Sequence, residues 1–262
     1  MKLGLIQMHT GEDAIYRLRE YMEKVKDADV VILPEIFNAP YSNEGFSKYA
    51  EQAEGKTHRI LKELAKEFGI YLIGGSIPER EGDKIYNTSF VFSPSGEQIA
   101  RHRKAHLFDI DIKGGQRFCE SDTLTPGDEV TVFETPFGKI GLCICFDIRF
   151  PELSLTMAKK GAQVIIVLAA FNMTTGPLHW ELLFRARAVD NQVFTVGVAP
   201  ARDEGASYVS YGNSIVVSPM GEIIEMFDEK DQTKIVEIEL SQVESVRSQI
   251  PTLSARREEL YK

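Results

Sequence analysis

The chain contains an internal repeat, and this repeat constrains its fold more than any other feature of the sequence. The most similar pair of segments is 86–99 (YNTSFVFSPSGEQI) and 211–224 (YGNSIVVSPMGEII), which share eight of fourteen residues. Three further pairs recur in the same order: KLGL with KIGL, VVILPEIFN with VIIVLAAFN, and IYLIG with VFTVG. Chance similarity between apolar strands explains one such pair but not four in one order, so the chain is built from two related halves.

Each half has the pattern strand, helix, strand, helix, strand, strand. Short runs rich in Val, Ile and Leu alternate with stretches whose apolar residues have helical spacing, such as Leu18, Tyr21, Met22 and Val25. The SPSG and SPMG segments predict turns that close antiparallel hairpins. Two such halves bury their sheets against each other when helices cover the outer faces. The sequence therefore predicts an α/β fold, a four-layer α-β-β-α sandwich with an internal pseudo-two-fold repeat, formed by a single domain over residues 1–262.

Three segments lie outside the repeat and are the expected places for function or assembly. Residues 100–138 join the halves, and residues 170–191 form an enlarged connection between a strand and a helix. Loops on a rigid scaffold commonly carry binding and catalytic residues. Residues 240–262 form a C-terminal arm, interpreted either as a segment at a dimer interface or as a frayed terminus.

Composition argues against several classes of function. The chain has 30 Lys and Arg against 39 Asp and Glu, a net charge of −9, which disfavours nucleic acid or an anionic membrane surface as a partner. Its longest apolar run is far shorter than a membrane span, and residues 1–13 do not resemble a signal peptide. The three cysteines cannot form a disulfide framework, so we expect a cytoplasmic protein. Neither metal-ligand spacing nor a glycine-rich phosphate loop occurs, so no metal and no cofactor are expected.

Cys145 is the candidate nucleophile. It ends an apolar strand in KIGLCICFDIRFPEL, directly before a helix whose first turn contains Pro151. Backbone N–H groups and a helix N-terminus at such a turn favour the thiolate form of a cysteine. Cys143, two residues earlier, is expected to be a small buried apolar residue. A structural role for Cys145 is the competing interpretation, because cysteine is among the most often buried residue types.

Glu35 and Lys104 are candidates for the groups that move protons and stabilise charge. Glu35 follows an apolar strand at the carboxyl edge of the first sheet, where open α/β sheets bind ligands, and its apolar neighbours predict burial. A buried carboxylate suits a general base, whereas a glutamate in a surface loop needs no function. Strand alternation places Lys104 opposite Arg101 and Arg103, hence inward, where its ammonium needs a carboxylate partner such as Glu35.

Three segments, LPEIF with Glu35, RKAHLF with Lys104 and CICFDIRFPE with Cys145, resemble the Glu-Lys-Cys signature of the nitrilase (carbon–nitrogen hydrolase) superfamily. The resemblance extends over essentially the whole chain. It is strongest to the omega-amidase branch, in the segments HLFDIDI, FCES, FNMTTGPLHWELLFRARAVDNQ and PARDEGASYVSYG. It implies the α-β-β-α sandwich, a homodimer, and hydrolysis of an amide through a cysteine thioester.

The resemblance also implies a role for each matching residue. Cys145 attacks the amide carbon, while Glu35 takes the thiol proton, passes it to the leaving nitrogen and later activates water. Lys104 and the backbone N–H of Phe146 stabilise the oxyanion, and Glu120 orients Lys104 and the substrate. Two positions depart from the family pattern. Phe146 replaces a common tyrosine, with little effect if only its backbone acts, and Lys113 replaces a proline, with an altered loop near the pocket as the expected effect.

The substrate that the resemblance implies is a small anionic amide, because an omega-amidase cleaves the terminal amide of 2-oxoglutaramate or 2-oxosuccinamate. An acidic chain must provide local donors for such an anion. The predicted substrate-binding residues are Tyr41, Phe171, Asn172, Thr174 and Thr175, with ordinary turn or cap roles as the alternative. Three arginines stay outside the predicted site, because ion pairs with nearby aspartates explain them equally well: Arg149, Arg187 and Arg202.

Three alternatives remain open from the sequence. The first is a Cys–His pair using His106 or His179, although no third residue that would orient either imidazole is apparent. The second is another hydrolase of the superfamily, acting on deaminated glutathione, an N-carbamoyl compound or a nitrile. The third is a dimeric binding protein without catalytic activity, which the intact Glu35, Lys104 and Cys145 disfavour.

Overall fold

The computed structural model describes residues 1–111 and 117–260, so Lys113 and the last two residues of the C-terminal arm lie outside the described residues. The first half contains β1 (Lys2–Gln7), α1 (Ala14–Lys24), β2 (Val30–Ile32), α2 (Asn43–Tyr49), β3 (Glu51–Gln52), α3 (Lys56–Phe68), β4 (Tyr71–Ile73), β5 (Ile77–Glu81), β6 (Lys84–Phe92) and β7 (Gln98–Arg103). The segment that follows contains a two-stranded ribbon of β8 (Asp109–Asp111) and β9 (Arg117–Cys119), and then β10 (Thr131–Thr135). The second half contains β11 (Gly138–Ile144), α4 (Pro151–Lys159), β12 (Val164–Leu168), α5 (Gly176–Asn191), β13 (Phe194–Val198), β14 (Ile215–Val217), β15 (Ile223–Met226), β16 (Gln232–Glu237) and α6 (Ser241–Gln249).

The predicted repeat is present in the structure. The series β1-α1-β2-α3-β4-β6-β7 corresponds to β11-α4-β12-α5-β13-β14-β15, and in both series the first three strands are parallel neighbours. The first sheet has the order β16-β1-β2-β4-β6-β5-β3, with β7 also paired to β6, and the second has the order β10-β11-β12-β13-β14-β15. The hairpin turns at 93–97 and 218–222 are closed by equivalent backbone hydrogen bonds of 2.8 Å, from Ser93 to Glu97 and from Ser218 to Glu222.

Residues 100–138 are more than a connection between the halves, because both ends of this segment belong to sheets. Strand β7 extends to Arg103 in the first sheet, and β10 pairs antiparallel with β11 in the second. The equivalent strand after the second half is β16, which pairs antiparallel with β1. Each half is therefore followed by a strand that completes the sheet of the other half. This exchange covers the free backbone groups of β1 and β11, which would otherwise be exposed sheet edges.

The two faces of the first sheet bury different partners. Leu3 and Val30 share one apolar cluster with residues of the second sheet, including Leu142 of β11. Ile6 and Val31 point to the opposite face and pack with the apolar residues of α1 and α3. Because successive side chains of a strand point to opposite faces, one face of the sheet meets the other sheet and one meets the helices. This arrangement is the predicted four-layer α-β-β-α sandwich.

The carboxyl ends of the parallel strands meet at one edge, where β2, β11 and β12 lead directly into loops and short helices. The C-terminal arm begins with α6. The side-chain amide of Gln192, the residue after α5, donates a hydrogen bond to the carbonyl of Ile250 and so attaches the arm to the second half. Placement of this arm at a dimer interface remains a prediction. Within residues 1–111 and 117–260, no helix combines the length and the apolar character that crossing a bilayer requires.

Candidate active site

The three residues of the predicted signature lie at the ends of three different strands. Glu35 follows β2, Lys104 is the residue directly after β7, and Cys145 is the residue directly after β11. Glu35 and Lys104 come from the first sheet and Cys145 from the second, so the site lies between the two sheets. All three side chains are buried, with no exposed surface on Glu35 or Lys104.

Lys104 connects two carboxylates at the centre of this cluster. Its Nζ donates hydrogen bonds to Oε1 of Glu35 at 3.2 Å and to Oε1 of Glu120 at 2.8 Å. Burial lowers the pKa of Lys104, but the charges of Glu120 and Glu35 outweigh this effect and raise the pKa above its usual range. Lys104 is therefore a permanent ammonium here. Two of its three N–H donors are used, which leaves one for a further oxygen.

Glu35 is held in one orientation by hydrogen bonds to both of its oxygens. Its Oε1 accepts from Asn87 at 2.9 Å as well as from Lys104, and its Oε2 accepts from the backbone N–H of Ala170 at 2.7 Å. Cys145 is a further neighbour, and its thiol is close enough for the Glu35 carboxylate to raise the pKa of the thiol. The carboxylate is therefore positioned to accept the thiol proton.

Glu120 is the first residue of a short 3-10 helix, Glu120–Asp122, that follows β9. Its Oε2 accepts from the backbone N–H of Phe108 at 2.7 Å, and its Oε1 faces Lys104. Burial raises the pKa of Glu120, Lys104 opposes this shift, and the charge of Glu35 adds to it. Glu120 thus gives Lys104 a second carboxylate partner besides Glu35.

Cys145 differs from the sequence-based expectation in its protonation. Burial is the main cause that raises the pKa of its thiol well above the usual value, and the charge of Glu35 raises it further, whereas Lys104 lowers it. The prediction that the turn favours a thiolate is therefore wrong for the resting protein, because removal from water and a neighbouring carboxylate outweigh the helix terminus. A protonated thiol at this position needs a base before it can act as a nucleophile.

The backbone at Cys145 is strained. Its φ is +49°, in the left-handed region that residues with a side chain rarely adopt. Such a conformation costs on the order of 1–3 kcal/mol and persists only where the surroundings enforce it. The strand therefore ends in a sharp turn at Cys145, and the 3-10 helix Cys145–Arg149 begins there.

Tyr41, whose contact with substrate remains a prediction, directs its hydroxyl at the two carboxylates. The hydroxyl lies 2.7 Å from Oε1 of Glu120 and 3.1 Å from Oε1 of Glu35. Burial first, and then the charges of Glu120 and Glu35, raise the pKa of Tyr41, so it remains a hydrogen-bond donor. The Tyr41 ring stacks on Tyr208 at 4.5 Å, and the Tyr208 hydroxyl donates to the carbonyl of Ala170 at 2.6 Å.

Phe146 and Phe171 form walls around an arginine that the prediction left outside the site. The guanidinium carbon of Arg149 lies 4.9 Å from the ring centroid of Phe171 and 5.6 Å from that of Phe146. Burial lowers the pKa of Arg149, and the nearby Cys145 and Tyr208 act in the opposite direction. Across the described chain, Arg149 has no carboxylate partner, so it does not form the ion pair with a nearby aspartate that the sequence suggested.

The predicted donors in the 171–175 segment have local contacts. The side-chain oxygen of Asn172 accepts from the backbone N–H and the hydroxyl of Thr175, both at 2.9 Å. These bonds form a turn before α5, which is the alternative role that the sequence allowed. Thr174 is exposed. Binding of substrate by these residues, and the contribution of the Phe146 backbone N–H, remain predictions.

The other two arginines form ion pairs with carboxylates. Arg187 pairs with Asp190 at 3.3 Å, as expected. Arg202 lies 3.7 Å from Glu204 rather than pairing with the aspartate beside it. Both arginines therefore have a carboxylate partner, which Arg149 lacks among residues 1–111 and 117–260.

The two histidines of the alternative Cys–His pair are held by other groups. His179 lies 3.1 Å from Arg149. His106 does have an orienting residue, contrary to the sequence-based expectation, because its Nδ1 is 2.8 Å from Asp147. The charged groups that act on the Cys145 thiol, however, are Glu35, Lys104 and Glu120. The geometry therefore favours Glu35 as the base.

Sequence reasoning missed Asn87, Tyr208 and Arg149 as members of the site. For Asn87 the sequence did contain a clue. When segments 86–99 and 211–224 are aligned, Asn87 corresponds to Gly212, so this position differs between the two halves. Arg149 lies in the nucleophile segment itself, but its lack of a carboxylate partner among the described residues is a property of the folded protein. Tyr208 lies in a polar loop whose sequence gives no sign of burial.

The fold and the cluster together define a class of enzyme. The sequence profile of the carbon–nitrogen hydrolase family matches residues 5–248. The chain therefore belongs to this family, the nitrilase superfamily, and is an enzyme that hydrolyses carbon–nitrogen bonds.

Individual relatives resemble the chain over nearly its full length. It is 52% identical to omega-amidase NIT2-A of Xenopus laevis and 49% identical to omega-amidase NIT2 of Danio rerio, covering 99% of this chain and 96% of each relative. Among solved structures, Saccharomyces cerevisiae Nit3, a member of branch 10 of the nitrilase superfamily, matches with a TM-score of 0.89 and 40% identity. That match covers 98% of this chain and 96% of the yeast protein.

Proposed function

We propose that the protein is an omega-amidase, which hydrolyses the terminal amide of a short 2-oxo dicarboxylate monoamide such as 2-oxoglutaramate or 2-oxosuccinamate. The products are the dicarboxylate and ammonia. The observation that carries this proposal is the position of Arg149, a half-buried guanidinium beside the Glu35–Lys104–Cys145 cluster that lacks a carboxylate partner within the described residues. Relatives that carry the omega-amidase name, at 45–52% identity, support it.

In the first half of the reaction, Glu35 takes the proton of the Cys145 thiol and the sulfur attacks the amide carbon. The carbonyl oxygen becomes an oxyanion, which the free N–H of Lys104 and the backbone N–H of Phe146 stabilise. Glu35 passes the proton to the amide nitrogen, the carbon–nitrogen bond breaks, and ammonia leaves. The acyl group remains on Cys145 as a thioester.

In the second half of the reaction, water is the nucleophile and the thioester is hydrolysed. Glu35 takes a proton from water, the hydroxide attacks the thioester carbon, and the same donors stabilise the second oxyanion. The carbon–sulfur bond breaks, the proton returns to the sulfur, and the carboxylic acid is released. One amide and one water thus give one acid and one ammonia, and the thiol is regenerated.

Arg149 accounts for the preference for an anionic amide. A 2-oxo dicarboxylate monoamide carries a carboxylate at the end opposite the amide, and a guanidinium binds a carboxylate through two parallel hydrogen bonds. The Phe146 and Phe171 rings beside Arg149 shield this pair from water, which strengthens the attraction. A net-negative chain thereby offers a local cation where the substrate needs one.

The test is the release of ammonia from a panel of about a dozen compounds, comprising short amides, deaminated glutathione, N-carbamoyl compounds and nitriles. We expect 2-oxoglutaramate or 2-oxosuccinamate to give the highest kcat/KM. A higher value for one of the other classes would assign a different hydrolase of the superfamily. Absence of any turnover would favour the non-catalytic binding protein.

We also propose that the protein forms a homodimer through the outer face of α5. This face exposes Leu178 and Leu182, at 70% and 64% of their surface, together with Val189. Glu181 and Arg185 lie on the same face and pair with each other at 2.9 Å. In a two-fold pair of antiparallel helices, each charge would meet its opposite on the partner, so the face is complementary to itself.

A buried thiol nucleophile also fits the reducing, cytoplasmic setting that the sequence predicts.

A further inference from the structure

Asp147 connects the segment that carries the nucleophile with the segment that carries the ammonium. It is completely buried, two residues after Cys145. Its Oδ2 accepts from the backbone N–H of Ile144 at 3.0 Å and lies 3.1 Å from Nε2 of His102. Its Oδ1 accepts from the backbone N–H of His106 at 2.9 Å and lies 2.8 Å from Nδ1 of the same residue.

The contacts of Asp147 are symmetric about Lys104. His102 and His106 stand two residues before and two residues after it, and both reach the same carboxylate. On the other side, Ile144 directly precedes the nucleophile. One side chain thus fixes the chain on both sides of Lys104 and joins it to the strained turn that carries the thiol.

The charge of Asp147 suits this arrangement. Burial alone raises the pKa of a carboxyl, but the hydrogen bonds from His102 and His106 lower the pKa of Asp147 below its usual range. An anionic acceptor forms stronger hydrogen bonds than a neutral one. The ring of His106 also stacks on Phe150 at 3.6 Å, which holds the imidazole in the plane that Asp147 requires.

We propose that Asp147, together with His102 and His106, is a positioning device that sets the location of the Cys145 thiol relative to the Lys104 ammonium. Asp147 acts through the two segments that it joins. The inference rests on the proposed function only in assigning the chemistry to Cys145 and Lys104. Loss of the device moves the thiol away from Lys104, so it slows acylation without weakening substrate binding.

The test compares two substitutions of His106. His106→Asn keeps a side-chain N–H close to the position of Nδ1, whereas His106→Leu keeps apolar volume against Phe150 and loses the donor. We expect His106→Leu to lower kcat by about tenfold or more, because a hydrogen bond to a buried charge is lost, with KM changed less than about twofold. His106→Asn should retain at least about one third of the kcat, since the bond is preserved.

A second measurement needs no amide substrate. The rate at which iodoacetamide alkylates Cys145, followed by peptide mass spectrometry, should fall at least about fivefold in His106→Leu and stay near the wild-type rate in His106→Asn. His58→Leu is the matched control, a buried histidine on α3 whose ring nitrogen lies 2.8 Å from Gln98. It should leave alkylation and kcat per folded molecule unchanged.

Each other pattern overturns the inference. If both His106 variants lose kcat equally, the imidazole itself takes part in the reaction. If both retain kcat and the alkylation rate, the contact between His106 and Asp147 has no effect on the thiol. A change confined to KM would place His106 in substrate binding. If no amide is hydrolysed by the wild type, the proposed function fails, while the alkylation rates still decide whether Asp147 positions the thiol.

Discussion

The hydroxyl of Tyr41 lies 2.7 Å from Oε1 of Glu120, inside the protein and away from solvent. The same hydroxyl lies 3.1 Å from Oε1 of Glu35. Two carboxylates therefore share a single uncharged donor, in addition to the hydrogen bonds that both receive from Lys104. Tyr41 therefore links Glu35, the proposed base, to Glu120, the second carboxylate partner of Lys104.

Replacing Tyr41 by Phe should show how much the two carboxylates depend on this shared donor. Without the hydroxyl, Glu120 loses a donor that favours its charged form, so its pKa rises further and the acid limb of the kcat profile moves to higher pH. We expect kcat at neutral pH to fall about tenfold, measured as ammonia release across a pH series. Tyr49→Phe is the control, because its hydroxyl contacts Glu12 at the surface. An unchanged profile in Tyr41→Phe would rule out this role.

Arg149 should decide between anionic and neutral amides. Removal of its charge in Arg149→Met is expected to raise the KM for 2-oxoglutaramate about tenfold to a hundredfold, because a hydrogen-bonded ion pair with the substrate is lost. The KM for an uncharged short amide should stay within about twofold of the wild-type value. The matched control is Arg19→Met, at an arginine that pairs with Glu67 on the surface. If both substrates are affected equally, Arg149 supports the site without binding the carboxylate.

The thiol of Cys145 should be largely protonated at neutral pH, so that only a small thiolate fraction reacts. Because burial and Glu35 raise its pKa, the thiolate fraction grows about tenfold for each unit of pH between 7 and 9, and so does the rate of alkylation by iodoacetamide. Glu35→Gln removes one cause of the raised pKa. This variant should alkylate faster than wild type at pH 7 although it hydrolyses amides more slowly. An alkylation rate that does not rise with pH above pH 7 would contradict this account.

The dimer that we propose depends on the apolar face of α5. Leu182→Glu places a charge at the centre of that face and should convert a dimer into a monomer, as measured by analytical ultracentrifugation. Tyr16→Glu is the comparison, since Tyr16 is also a large exposed side chain but lies on α1. A wild-type protein that sediments as a monomer, or a Leu182→Glu variant that remains dimeric, would show that copies do not meet through this face.

Periodicity and repetition were sufficient to predict the layers of the fold and the burial of Glu35 and Lys104. A repeat of strands and amphipathic helices leaves few ways to bury both sheets, so local pattern determined the architecture. Strand alternation also predicted the orientation of Lys104 correctly, because Lys104 is buried while Arg101 and Arg103 contact Glu79 on the other face.

The parts that sequence could not predict depend on contacts between distant segments. The exchange of β10 and β16 between the sheets arises from packing of edges that no local pattern records. The histidine partners of Asp147 are 41 and 45 residues away, so an ion pair with the nearby Arg149 looked equally reasonable. The protonation of Cys145 was predicted wrongly because the cost of burial and the approach of Glu35 are properties of the assembled site.

The central claim is that Cys145 carries the acyl group of the substrate during turnover. The most direct test is to mix the enzyme with 2-oxoglutaramate, quench within the first turnover, and measure the mass of the Cys145 peptide. We expect an adduct equal to the substrate minus ammonia, formed together with the first equivalent of ammonia and absent from Cys145→Ala, which should release none. Undiminished ammonia release by Cys145→Ala, or an adduct on Cys119 with Cys145 unmodified, would contradict the account.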